Sequence, residues 1–468
     1  MTKKTKGGFL GIMMPLILAM AVFVSCDDDS SKPKEVDIKG VAFDAISFSN
    51  LTGALVTLEP AEGTKADASV TGGIQTTVDD NGEYIFKDVK IGTYNLYIEM
   101  DGYKSMFSNN VDLGYGEAYV AFLPVTNDIT TPVGGITGVV LDKDGKVVPN
   151  ANIAISAQNE AITNGYFSSA TTNQYGQFFI GAVPLQSTQE FKVRCMASGF
   201  DTQVIQNINM LQNEMVVVYF QLNKATPATV IFSEGFESST SDWEMTGFWH
   251  VQQNADIYNQ AYPDYVNLAP NDASEGRIPN AFEGSRMAWY GEAETGNFMG
   301  TQSPGDSPGS GGTSTTFNYG SMISPEINLS GQNVASVNFW SWFEIESVNP
   351  NQYGYDLMEI YVLDNDGDDH LLGKLNPYTD PLLPDRKAIP FTSGGFNQAP
   401  VWKYEEFDLS AFVGTTIRLE FRFDTRDHLY NGFRGWFVDE INVVDKAASE
   451  ETKSSFDATR PLMQRGQN

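Results

Sequence analysis

Cysteine is nearly missing from this chain: two stand in 468 residues, at positions 26 and 195. A disulfide framework is thereby excluded. Histidine is as scarce, with only His250, His370 and His428. None belongs to H-E-x-x-H or another local zinc pattern. The string G-x-S-x-G occurs once, at 305–309, inside the Gly/Ser/Pro loop "TQSPGDSPGSGGTSTT" rather than at a strand-to-helix elbow, and no G-x-x-x-x-G-K-[ST] loop occurs, so neither motif points to an enzyme. Positive charge is short too: 29 Lys and Arg against 59 Asp and Glu leave a net charge of −30. Such a field repels nucleic acid and anionic lipid head groups. Charged residues make up only 19% of the chain, while Gly reaches 43 and Pro 21, which suits a turn-rich all-β protein. The length allows about three domains at ~150 residues each.

What is present begins at the N-terminus. Lys3, Lys4 and Lys6 precede the apolar run "FLGIMMPLILAMAVFV", and "SCDDDSS" follows. This is the layout of a signal peptide. The run is ~16 residues, shorter than the ~20 a spanning helix needs. Phe23-Val24-Ser25-Cys26 resembles a bacterial lipobox, with Phe23 in place of the commoner Leu. The resemblance implies a signal peptide over 1–25 and a lipid on Cys26. The acidic stretch over 26–35 then reads as a flexible tether. It resembles the surface-export signal of Bacteroidetes lipoproteins, which implies an outer-membrane lipoprotein exposed at the cell surface. With Cys26 lipidated, Cys195 has no disulfide partner. It shares a strand face with Phe191 and Val193 and is expected to be a buried small hydrophobe.

Two segments then repeat at a period of roughly 95 residues, an array of small β domains rather than a solenoid. "IKGVAFD", "GALVTLEP" and "TTVDDNGEYIF" in the first answer to "ITGVVLD", "NANIAISA" and "ATTNQYGQFFI" in the second. Gly82 and Gly176 mark matching turns, and Gly102-Tyr103 and Gly199-Phe200 close the units. The series resembles the carboxypeptidase regulatory-like domain over 36–125 and 134–224. That family implies two tandem seven-stranded β-sandwiches of prealbumin-like topology, non-catalytic, serving as spacers or binding modules. "PVTNDITTPVGG" (124–135) reads as a linker between them.

All seven Trp lie beyond residue 240, so 228–445 is a separate, larger β domain. The tail 446–468 is polar and lacks periodicity, and it is expected to be disordered. Phe236-Glu237, Ser324-Pro325, Phe407-Asp408-Leu409-Ser410, Arg418, Phe421-Arg422 and "GWFVDEI" (435–441) follow the order of the jelly-roll family containing MAM domains and immune inhibitor A-type modules. Cleaved-adhesin domains of Bacteroidetes gingipains and haemagglutinins resemble it as well. The resemblance implies a jelly-roll sandwich and leaves 250–318 without a guide.

In "GWFVDEINVV" strict alternation puts Phe437, Asp439, Ile441 and Val443 on one face, and Trp436, Val438, Glu440 and Asn442 on the other. A carboxylate between Phe and Ile is costly unless something pairs with it. Two readings stand. The family's structural calcium implies Ca²⁺ on Glu237 and Asp439, because the first and last strands of such a sandwich are neighbours. Alternatively, Asp439 accepts hydrogen bonds from backbone N–H groups or Arg434. "DNDGDD" (364–369) lacks the twelfth-position Glu of an EF-hand and reads as a hairpin turn. Glu344 and Glu346 share a strand face, which reads as a solvated face rather than a glycosidase pair. Most Trp, including Trp340 and Trp342, read as core. Trp289 and Tyr290, with Tyr258, Tyr262 and Tyr265, are the candidate ligand-binding aromatics.

The expectation is a non-catalytic, lipid-anchored cell-surface binding or adhesion protein. A β-sandwich stalk would present a jelly-roll module to glycan or protein, with no nucleic-acid partner. Two other readings stay open: an accessory subunit of a surface glycan-uptake or protease system, and a hydrolase within 228–445.

Overall fold

The computed structural model describes residues 35–61, 73–113, 118–161, 165–185, 190–238, 242–254, 269, 272–306, 311–346, 355–376 and 390–446. The expected signal peptide, Cys26, most of the expected tether, Tyr258, Tyr262, Tyr265 and the tail from 447 lie outside them. Among the described residues no helix is long and apolar enough to cross a membrane.

The chain is all-β. The first sandwich holds β1 (Glu35–Ala42), β2 (Leu55–Pro60), β3 (Ile74–Thr77), β4 (Glu83–Lys90), β5 (Thr93–Glu99), β6 (Met106–Asp112) and β7 (Ala118–Phe122). The second holds β8 (Val133–Asp142), β9 (Asn152–Ala157), β10 (Ser168–Thr171), β11 (Gln177–Pro184), β12 (Glu190–Met196), β13 (Gln203–Asn209) and β14 (Met215–Leu222). The third opens with β15 (Val230–Glu234), β16 (Glu244–Met245), β17 (Trp249–Gln253), β18 (Arg286–Tyr290), β19 (Tyr319–Ile323), β20 (Ile327–Asn328) and β21 (Ser336–Glu346). It continues with β22 (Leu357–Leu363), β23 (Asp369–Lys374), β24 (Pro390–Thr392), β25 (Gly395–Phe396), β26 (Lys403–Asp408), β27 (Thr416–Asp424) and β28 (Gly435–Val444).

The two repeats share one topology. Sheets β4-β1-β7 and β3-β2-β5-β6 in the first answer to β11-β8-β14 and β10-β9-β12-β13 in the second. In each repeat the opening strand runs parallel to the closing one. Local chemistry explains the match. Along β1 buried and half-exposed residues alternate, so Val36, Ile38 and Ala42 face the core. Each fully buried aliphatic side chain of this kind contributes roughly 1.5–3 kcal/mol. The turn before β4 is held by Asp79 Oδ1, which accepts from the N–H of Asn81 and Glu83. Asn173 Oδ1 accepts from Tyr175 and Gln177 before β11. Gly82 and Gly176 follow at φ +79° and +70°, which glycine adopts without strain. Cys195 is buried at 0% exposure, and burial pushes its thiol far up, as befits a small hydrophobe.

The third sandwich packs the sheet β17-β18-β28-β21-β24-β25, with β15 on β28 and β26 on β21, against β16-β19-β27-β22-β23. Phe339, Phe343, Phe421, Trp436 and Val438 lie in the core between them. Opening strand β15 pairs with closing strand β28, as expected. The β22–β23 hairpin turns on Asp364, whose Oδ1 accepts from Asp366 and Asp368 and whose Oδ2 meets His370 Nε2 at 2.8 Å. "DNDGDD" is therefore a turn.

The three sandwiches are joined by direct contacts, which corrects the picture of a spacer leading to a separate module. Val125 and Ile129 of the expected linker are buried in the first core, and Phe107 N–H donates to Asn213 O at 3.0 Å. Between the second and third sandwiches, Arg194 Nη2 donates to Glu406 O at 2.6 Å and Thr202 Oγ1 to Glu406 Oε2 at 2.9 Å. Asn397 Nδ2 reaches Ile46 O at 2.6 Å, linking the third to the first.

Candidate functional site

β28 carries a β-bulge. Asn338 pairs with Asn442, but Trp340 pairs with Asp439. Glu440 absorbs the extra residue at φ +50°. The bulge inverts parity along the strand. Trp436, Val438, Ile441 and Val443 face the main core, whereas Phe437 lies in a second apolar cluster. The strictly alternating assignment therefore holds for the first half of the strand and fails after Asp439.

The second cluster covers the outer face of the larger sheet. It joins Ile278 of the 250–318 region to Met287, Trp289, Trp342 and Phe437. Arg434 ties this region down from inside. Its Nε and Nη2 reach Glu344 Oε2 and Oε1 at 2.8 and 3.0 Å, Nη2 reaches Asp272 at 2.5 Å, and Nη1 donates to Ser274 Oγ and the Arg277 carbonyl. Glu344 and Glu346 are buried, not solvated, which overturns the expected solvated face. A carboxylate locked in a buried bidentate ion pair is not available as an acid or a nucleophile, so Glu344 supports no hydrolase reading.

Asp439 does not meet Arg434. Its Oδ2 accepts from the N–H of Phe282 and Glu283 at 2.9 and 3.2 Å, and its Oδ1 accepts from Glu440 N–H at 2.8 Å. Burial pushes its carboxyl up to about 7, against the lowering effect of those donors. Glu237, at the surface, accepts from the N–H groups of Ser285 and Arg286 and from Ser285 Oγ, and its carboxyl is held below the usual range, chiefly by the Ser285 N–H. The two carboxylates grip one loop, 282–286, from two sides. Both aim at N–H donors, the arrangement of anions held by backbone. Among the described residues no group of three or more His, Cys, Asp or Glu side chains is placed to hold a metal. Backbone N–H donors already occupy these carboxylate oxygens, which does not suit a calcium shell at this pair.

Trp289 and Tyr290 are not exposed ligand contacts. Both are at 0% exposure: Trp289 Nε1 donates to Arg434 O at 2.7 Å and stacks on Phe437, and Tyr290 stacks on Phe423. They alternate across β18, so each packs into a different apolar layer, a choice local sequence does not reveal. The aromatic surface lies elsewhere. Phe282, at the tip of the loop that Asp439 holds, stacks on Trp340 at 3.8 Å and meets Trp402 edge-on at 6.2 Å. Trp402 Nε1 donates to Asn280 O at 3.0 Å. Trp340 is half-buried rather than core. It forms one wall of a cleft of about 190 Å³ whose other walls are Val147–Asn150 and Ala197, Ser198 and Phe200 of the second sandwich. No titratable side chain lines the cleft, so it offers apolar contact, an amide and a hydroxyl but no acid–base chemistry. Trp340 and Trp342 both alternate with Phe and aliphatic residues, the pattern of core; Ile278 and its segment cover Trp342, whereas Trp340 is left half-buried at the cleft with the second sandwich.

Residues 135–223 match the family model of the carboxypeptidase regulatory-like domain. No curated protein matches the chain. Among solved structures, the chain is similar to the minor pilin GBS52 of Streptococcus agalactiae, at 12% identity over 42% of this chain and 98% of that one, with a TM-score of 0.17. It is similar to the K1 cleaved adhesin domain of Lys-gingipain from Porphyromonas gingivalis, at 15% identity over 46% of this chain and 97% of that one, with a TM-score of 0.25. The Bacillus anthracis TIE protein is 9% identical over 84% of this chain and 48% of that one, with a TM-score of 0.16. At these scores the structural likenesses carry no argument about function. The segment 135–223 thus matches the carboxypeptidase regulatory-like domain within an all-β chain.

Proposed function

We propose that this chain is a non-catalytic, lipid-anchored cell-surface binding protein, and that its ligand contact is the cleft shared by the second and third sandwiches. The supporting observation is Trp340, a half-exposed indole in an open cleft, braced by Phe282 and flanked by Asn150 and Ser198. An indole beside an amide and a hydroxyl suits a sugar ring, which offers C–H groups to the aromatic and hydroxyls to the polar rim. At about 190 Å³ the cleft is smaller than drug-sized pockets of about 300–1,000 Å³, so it takes one ring of a longer glycan rather than enclosing a chain. The lipobox resemblance at Cys26 supports the anchor and an outer-membrane, surface-exposed location.

A glycan array probed with the full chain tests the reading. Binding that Trp340→Ala removes supports it. An array without binding, or binding that Trp340→Ala leaves intact, overturns it. Labelling with a fatty-acid analogue tests the anchor, with Cys26→Ala expected to lose the label.

A further inference from the structure

Two carboxyl groups lie buried side by side in the third sandwich. Glu346 ends β21, and Asp356 immediately precedes β22. They are 6% and 0% exposed. The Glu346 N–H donates to Asp356 Oδ2 at 2.8 Å, which fixes the two residues against each other. Glu346 Oε2 and Asp356 Oδ1 are buried without a hydrogen-bond partner. The charge of Asp427 acts on both, and that of Asp424 acts on Asp356.

A third orphan acceptor stands on the neighbouring loop. Asn431 is at 0% exposure. Its Nδ2 donates to Ser314 Oγ at 3.0 Å and to the Asp427 carbonyl at 3.2 Å, so its amide orientation is set and Oδ1 is left without a donor. Glu344 pairs with Gly435 and Leu357 pairs with Asp424, so both ends of the segment that carries Asn431 lie beside Glu346 and Asp356. The guanidinium groups of the region are committed elsewhere, Arg434 to Glu344 and Asp272 and Arg426 to Asp424. Like charges at this depth require a counter-ion or a proton.

We propose that Glu346, Asp356 and Asn431 bind a hard divalent cation, calcium, with main-chain carbonyls and water completing the shell. Oxygen-only donors with no His or Cys favour calcium over a transition metal. Among the described residues no third carboxylate closes on the pair, and two carboxylates place the affinity with extracellular modules, on the order of 10⁻⁴–10⁻³ M. The site is distinct from Glu237 and Asp439 and independent of the cleft ligand.

The test is calcium titration of the chelator-stripped full chain, followed by calorimetry and melting temperature. Millimolar calcium is expected to raise the melting temperature by about 1–5 °C. Asp356→Asn should weaken binding at least about tenfold, whereas Glu237→Gln should leave it unchanged. Asn431→Asp adds a ligand charge and should tighten binding, which keeps the test decisive if Asp356→Asn does not fold. A wild-type chain that binds no calcium holds a proton there instead, and that result overturns the proposal. A calcium response that survives both Asp356→Asn and Asn431→Asp unchanged also overturns it.

Discussion

Glu344 and Glu346 stand two residues apart on one strand and one face, yet the two ends of that face are completed in opposite ways. Glu344 meets Arg434 in a bidentate ion pair, with Asp272 beyond it. Glu346 meets Asp356, another acid, and both keep an orphan oxygen. Asp439 on the adjacent strand shows a third solution, three backbone N–H donors. Burial alone therefore does not say what a carboxylate is for. The partner does, and each partner predicts a different response when it is removed.

The largest effect belongs to the Arg434 end. Arg434→Met leaves Glu344 and Asp272 buried without a counter-charge and is expected to cost about 3–5 kcal/mol, read as a fall in urea midpoint. Loss of less than about 1 kcal/mol would erase the distinction between the two ends of β21.

A smaller effect is expected at Asp439. Asp439→Asn keeps the shape but disturbs the three N–H contacts, costing about 1–3 kcal/mol. Its pH dependence is more telling. The folded chain holds the Asp439 proton up to about 7, the unfolded chain only to about 3.9. The associated stability is fully present below pH ~4 and is lost as pH rises through 7. Melting temperature measured across that window should fall in the wild type and flatten in Asp439→Asn. Parallel curves would show that the carboxyl does not titrate there.

In the absence of calcium the Glu346 end should carry a decline that extends to higher pH than the Asp439 limb, because burial, then Asp356 and Asp427, push the Glu346 carboxyl well above the usual range. Its stability is fully present below the unfolded-chain value and is lost as pH rises toward the raised folded-chain one. Calcium at millimolar concentration should flatten this limb and leave the Asp439 limb in place. Flattening of both limbs would merge two sites that the geometry separates.

The smallest effect is at Glu237, which is exposed. Glu237→Gln is expected to change stability by no more than about 0.5 kcal/mol, with no change in the response to EDTA. A chelator-sensitive melting temperature abolished by Glu237→Gln or Asp439→Asn would restore the calcium reading of that pair.

Much of this was legible in the chain. Asx-type turns at Asp79 and Asn173 recur at matching places, and the strand that leads into Phe236-Glu237 pairs with the strand that carries "GWFVDEI". Turn chemistry and period-two burial act over a few residues, so they can be read locally. Trp289, Trp340 and Trp342 look alike in sequence, each among apolar neighbours. Their exposure depends on what covers the outer face, namely Ile278 and its segment over Trp289 and Trp342, and loops of the second sandwich around a cleft at Trp340.

The sequence by itself determined the all-β architecture, the repeat and the closing-strand motif, because alternation and turns are short-range. Tertiary structure alone decided which way "GWFVDEINVV" faces and what its carboxylates hold. One extra residue at Glu440 inverts the parity of everything after it. The partner of a buried charge also comes from far along the chain: Arg434 for Glu344 is 90 residues away, and the Phe282 N–H for Asp439 is 157. No local pattern encodes a pairing across such distances, since it exists only once the sheets and the covering loop have packed.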